Sequence, residues 1–198
     1  MNEDETKKII YLPIIQNSNS NSKKEKKEEE KREKRKRIIT ETNKWQDYFV
    51  NKETDFSKDV QLQLLSSLDK SLNSLDTDKS LQDKKIHFLR EQIRQKIYNY
   101  YSQDMKKQLY NPENFITLEY ILQKLEDCQL DCFYCREPVF LWYEIAREPK
   151  QWTVERIDNK IGHDIGNIEI ACLSCNLKRR CMYHERYVFT KQMKIVKI

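Results

Sequence analysis

Four cysteines stand in two identical spacings. Cys132-Phe133-Tyr134-Cys135 and Cys172-Leu173-Ser174-Cys175 are both CxxC pairs, with residues 136–171 between them. Two residues between cysteines let both thiolates of a turn face one ion. Two such turns supply a tetrahedral four-sulfur site, the set that suits Zn²⁺. A closed site of this kind has no open coordination position, so its expected role is structural. Cys128 and Cys181 read as ordinary buried or half-buried thiols, or as a substitute for one of the four. Disulfides are the lesser alternative, because paired CxxC motifs in a reducing compartment read as metal ligands first.

Between and just beyond the pairs lies WTVERIDNKIGHDIGNIEIACLSCNLKRR, residues 152–180. Its order is a CxxC, a strand Val154-Glu155-Arg156-Ile157, a loop with Gly162 and Asn167, and then Cys172-Leu173-Ser174-Cys175-Asn176. This order resembles the HNH endonuclease family, in particular a subgroup of phages and large DNA viruses whose strand reads (D/E)RIDN followed by GH or GY. The resemblance covers the chain from Cys132 onward, and residues 1–110 carry none. It implies a ββα-metal fold, stapled by zinc, that cleaves DNA phosphodiester bonds. It also implies a second cation, Mg²⁺ or Mn²⁺, held by Glu155 and Asn176 against the scissile phosphate. A hard cation of that kind takes oxygen ligands, keeps several waters and stabilises charge on phosphate.

The family's base histidine sits beside the acid, where this chain has Arg156. Arginine keeps its proton, with a pKa above ~12, so a proton acceptor must come from elsewhere. Asp158, two positions along the strand, shares a face with Arg156. His163 has an ordinary pKa near ~6.5, suited to general-base work. Asp158-Asn159 also reads as an Asx turn, and His163 as a loop-packing residue. Asn167 matches the family's central asparagine, which cross-links the loop to the strands. The planar fork of Arg156 suits a phosphate oxygen. The family's usual lysine position holds Arg179, with Lys178 beside it. Lys178, Arg179, Arg180 and Arg186 are expected to track a nucleic-acid backbone, contacts that fix position without reading sequence.

The elements that must position these residues follow from periodicity. Leu118, Ile121, Leu122 and Leu125 predict a short amphipathic helix, capped by Asn114 or Thr117, that delivers the chain to the first CxxC. Residues 139–145, 152–157 and 165–170 are rich in aromatic and branched side chains and predict three short strands. A last helix is expected from about Ser174 through the basic segment. Upstream, Leu65, Leu68, Leu72 and Leu75, and then Ile86, Leu89, Ile93, Ile97 and Tyr100, mark helical stripes whose simplest use is core packing. His87 falls one position off the second stripe and reads as a surface or boundary residue. The expected organisation is α+β: a disordered charged tail over 1–44, a helical region without visible chemistry over 45–110, and a zinc-binding HNH-like domain over 111–198. The stripes would also permit a homodimer through the helical region.

Charge is concentrated rather than large. The chain has 198 residues, 35% of them charged, only two glycines and a net charge of +5. Residues 23–37 hold ten Lys/Arg against five Glu, and residues 178–198 hold seven Lys/Arg against one Glu. Lys34–Arg37 resembles a nuclear-localisation cluster. The second basic block adjoins the candidate site and contains Tyr183, Tyr187 and Phe189, a surface suited to nucleic acid. No apolar run long enough to span a bilayer occurs, and the start MNEDETKKII lacks the form of a secretory signal. The protein is therefore expected to be intracellular, cytoplasmic or nuclear, with DNA as partner and no membrane. Two other functions compete with the nuclease: a non-catalytic zinc-stapled module that binds nucleic acid, and an adaptor that works through its helical arm.

Overall fold

The computed structural model of the protein describes residues 9–12, 38, 56–71 and 81–197. The charged block 23–37, the Lys34–Arg37 cluster, Trp45, Leu72 and Leu75 lie outside these residues. Of the segment 1–44, the structure describes only two pieces, and both pair with downstream chain. Strand β1 (Ile9–Leu12) runs parallel to β4 (Lys194–Lys197), and Ile38 bridges Ile145.

Three helices each turn an apolar face into the core. Helix α1 (Lys58–Ser71) buries Leu64, Leu65 and Leu68, and α2 (Leu81–Lys107) buries Ile86, Leu89 and Ile93. Helix α3 (Leu118–Asp127) buries Leu118, Ile121, Leu122 and Leu125. Each set recurs at three or four residues, which puts it on one face of its helix. Thr117 caps α3, its Oγ1 accepting from Tyr120 N at 3.2 Å. His87 is exposed. One cluster of buried side chains runs from Leu64 to Tyr187, so the helices and the cysteine-bearing segment share a core. Among the described residues no helix is long and apolar enough to cross a membrane.

The central sheet has two antiparallel strands, β2 (Trp152–Arg156) and β3 (Ile168–Cys172), in register from Trp152↔Cys172 to Arg156↔Ile168. The chain then enters α4 (Leu173–Arg179) without a loop, because Cys172 ends β3 and also caps α4 through its sulfur. Helix α5 (His184–Gln192) follows. The architecture is thus small α+β, with five helices, a two-stranded antiparallel sheet and the parallel β1–β4 pair among the described residues.

Three expectations about elements are corrected. Residues 139–145 form no strand. The buried Gln61 of α1 accepts from Leu141 N at 2.7 Å and Trp142 N at 3.1 Å, so a side chain takes the bonds a neighbouring strand would have taken. The strand expected at 165–170 starts three residues later, because Ile165 N donates to Asn114 O and Gly166, at φ 84°, sits in a turn. The single basic helix is two helices, broken at Arg180, whose φ of 53° ends α4.

Candidate functional site

Cys132, Cys135, Cys172 and Cys175 converge, with all four sulfur atoms within 4.8 Å of one another. None forms a disulfide. Cys135 Sγ and Cys172 Sγ are 4.0 Å apart, close to the ~3.8 Å edge of a tetrahedron with ~2.3 Å metal–sulfur bonds. The local backbone is built for thiolate. Cys172 N donates to Cys132 Sγ and Cys175 N to Cys172 Sγ, both at 3.3 Å. Arg136 closes the first turn at φ 58°, its N–H bonding Cys132 O at 2.9 Å, and Phe133 N ties the turn to Ile170 O of β3. The thiols of Cys172 and Cys175 pull Cys132 well below the usual range, while the contact with Cys132, aided by burial, pushes Cys172 up to about 11. A cation that favours four thiolates would remove that conflict. Cys128 is half-buried and Cys181 exposed, and neither belongs to the cluster.

A cavity of about 300 Å³ opens beside the second pair, with room for several waters. Glu155 and Arg156 of β2, Asn159 and His163 of the loop, Asn176 of α4 and Arg180 just after it line it, together with Tyr100, Gln103 and Lys107 of α2. The Asn176 amide nitrogen donates to Thr153 Oγ1 at 3.2 Å and to Val154 O at 3.3 Å, which holds the side chain against β2. Glu155 is buried, and its Oε1 is ion-paired to Arg179 Nη1. Burial pushes the Glu155 carboxyl up and Arg179 pulls it back. Arg156 Nη1 donates to Asn159 O at 3.3 Å and Ile161 O at 3.1 Å, so Arg156 braces the loop.

His163 is buried, with Nδ1 2.8 Å from Asp104 Oδ1 and its ring 4.6 Å from that of Tyr100. A carboxylate only accepts, so the neutral ring carries its proton on Nδ1 and leaves Nε2 bare. Burial lowers the His163 pKa below its ordinary value, and Asp104 works in the opposite direction. Asn167 joins the two ends of the loop: Oδ1 accepts from Asp158 N at 2.9 Å, and Nδ2 donates to Asp158 O at 3.0 Å and Gly162 O at 2.9 Å.

Two expected site residues stand elsewhere. Asp158 is exposed and lies outside the cavity lining, its Oδ1 accepting from Lys160 N at 2.8 Å in an Asx turn. Arg179 is not a surface contact. Its side chain is 2% exposed, and besides Glu155 it bonds Arg156 O and Ile157 O, each at 2.6 Å. It lies on the inner face of α4, next to the sheet, where the sequence marks only a basic run. Lys178, Arg180 and Arg186 are exposed.

No protein-family model, curated protein or solved structure matches the chain. The candidate site rests on the chain's own geometry.

Residues of α2 are what the sequence reading missed. Lys96 Nζ donates to Trp152 O at 2.6 Å and lies 4.4 Å from the Trp152 ring. Tyr100 OH accepts from Val154 N at 3.0 Å, and Asp104 holds His163. The three stand at i, i+4 and i+8, one polar line along a helix. That spacing was the available signal, but Tyr100 continues the apolar stripe and reads as core, while Lys96 and Asp104 beside it read as solvated surface.

Proposed function

We propose that the protein is a metal-dependent endonuclease of the HNH type acting on DNA, with Zn²⁺ in the four-cysteine cluster as a structural staple. The observation that carries this reading is the convergence of Glu155, Arg156, His163 and Asn176 on one cavity, next to the cysteine cluster and within a strand–strand–helix unit. The donor set suits a hard cation. Glu155 Oε2 and Asn176 Oδ1 accept no hydrogen bond among the described residues, and both side chains line the cavity. Mg²⁺ or Mn²⁺ bound there would neutralise charge on the scissile phosphate and the departing oxygen.

The chain's own residues divide the remaining work. His163, neutral at physiological pH and bare at Nε2, is the group that takes the proton of an attacking water. Arg156 and Arg180, which both line the cavity, offer guanidinium donors to phosphate oxygens. Lys178 and Arg186 lie on the exposed basic surface where the nucleic-acid backbone would run. Asn167 keeps the loop that carries His163 closed against β2.

The direct test is incubation of the purified chain with supercoiled plasmid and with branched DNA in Mg²⁺ or Mn²⁺. Nicking of at least one substrate is expected, and Glu155→Gln and Asn176→Ala should abolish it while affinity is retained. Binding without cleavage under any metal would overturn the reading. It would favour the second one, a non-catalytic zinc-stapled module that binds nucleic acid. The Glu155–Arg179 ion pair is the observation that favours this alternative, because it already satisfies half of the carboxylate. On either reading, binding weakens as salt rises.

A further inference from the structure

We infer that Asp104 of α2 is the positioning residue for His163, so that the helical region is part of the catalytic unit rather than an arm attached to it. The inference rests on the proposed role of His163 as the proton acceptor. Asp104 gives both its oxygens to one residue: Oδ2 accepts from His163 N at 2.6 Å, and Oδ1 faces Nδ1 at 2.8 Å. Its side chain is 0% exposed. It sits one turn before the end of α2, on the side of the helix that meets the loop after β2. A carboxylate buried there, whose side chain bonds His163 alone among the described residues, is placed for what it does to that ring.

What it does is fix the tautomer and the orientation. The Nδ1 proton is committed to Asp104, and Nε2 is the nitrogen left to receive a proton. The surrounding structure holds the pair rigidly. Ile116 N bonds His163 O at 3.1 Å, and Tyr100 lies against the ring. Gly162 makes the approach possible, because a Cβ there would stand 2.5 Å from Leu109 O and 3.0 Å from Asp104 Oδ2. The other charged groups around the ring are Lys107 on α2 and Arg156 on β2. Asp164, on the same loop as His163, lies close to Asp104.

The experiment uses the full chain, comparing wild type with Asp104→Asn and Asp104→Glu, and reads two quantities. The first is the ¹⁵N imidazole spectrum of His163, which needs no catalysis. In wild type the ring is expected as the Nδ1–H tautomer; in Asp104→Asn it becomes a mixture; in Asp104→Glu the wild-type form partly returns. The second is cleavage, where Asp104→Asn should lower kcat on the order of 100-fold, the scale of a misplaced catalytic group, with KM little changed. Adding Asp104→Asn to His163→Ala should cost nothing more, because the two act as a unit. A wild-type ring protonated at Nε2, or an Asp104→Asn protein that cleaves like wild type, would overturn the inference. The wild-type spectrum decides the matter even if the variants fold poorly. The two ideas fail separately: a wild type that never cleaves removes the nuclease reading, whereas the spectrum alone reports whether Asp104 controls the ring.

Discussion

The cysteine cluster, buried but for the half-buried Cys135, and the buried Asp104–His163 corner are both groups of polar side chains brought together by the fold, yet they are assembled in opposite ways. The cluster is made of two turns, each of which sets its own pair of sulfurs through a two-residue spacing. The corner joins residues 59 apart in sequence and exists only when α2 packs against the loop after β2. The first is encoded by spacing and the second by docking. It follows that the cluster should respond to a metal ion before anything else, and the corner to the packing of α2.

The largest effect expected from this contrast is at the cluster. Removing a structural zinc from a small domain forfeits on the order of 10 kcal/mol of apparent stability. Cys172 serves three roles at once, since it contributes a sulfur, ends β3 and caps α4. Cys172→Ser, or chelation of the wild type, should therefore remove cooperative unfolding of the domain. Metal analysis should find one Zn²⁺ per chain in wild type and none in the variant. A Cys172→Ser protein with an unchanged urea midpoint would break the contrast, since the staple would then hold nothing.

Next in size is the Glu155–Arg179 pair, which stands between the two regions. Arg179 neutralises a buried carboxylate and satisfies two backbone carbonyls at the point where β2 ends. Arg179→Met leaves Glu155 charged and unpartnered, a change that typically costs about 3–5 kcal/mol. Glu155→Gln in the same chain should recover part of that loss, because it removes the uncompensated charge. Equilibrium denaturation of the two single variants and the double variant measures the coupling. If Arg179→Met costs less than about 1 kcal/mol, the pair is not what secures α4 to the sheet.

These two regions also mark where the sequence is legible. The CxxC pairs, the asparagine that closes the loop and the stripes of α2 and α3 are local patterns, and each can be recognised from neighbours within a turn or a loop. Strand β2 is legible for the same reason, and its observed end at Arg156 lies one residue short of the expected one. The burial of Arg179 is not legible, because Lys178, Arg179 and Arg180 look alike in sequence and only the packing of α4 selects one to face inward. Residues 139–145 have the composition of a strand but lose that fate to Gln61, a single side chain far upstream in the sequence. Asp104 is hidden for a related reason. Near a helix end, in a highly charged chain, an aspartate looks solvated until the fold places His163 over it.

The smallest effect expected is a shift in pH dependence, and it separates His163 from Asp158. Burial holds the His163 pKa below its ordinary value near ~6.5, while Asp104 opposes the shift and Arg156 and Lys107 reinforce it. Between the ordinary value and the lowered one, the unfolded chain binds the proton and the folded chain does not. His163 therefore contributes stability that is present above about pH 6.5 and is lost as pH falls toward its folded value. Cleavage should follow the same group. The acid limb of the rate should have its midpoint below ~6.5, and His163→Gln should remove both the limb and most of the rate. Asp158→Ala should leave that midpoint in place and change stability by no more than about 1 kcal/mol, since Asp158 supports only an exposed Asx turn. An acid limb at or above 6.5 would mean that the ring is solvated during cleavage, if the chain cleaves DNA as proposed. In that case the corner made by α2 would have to open before the proton could move.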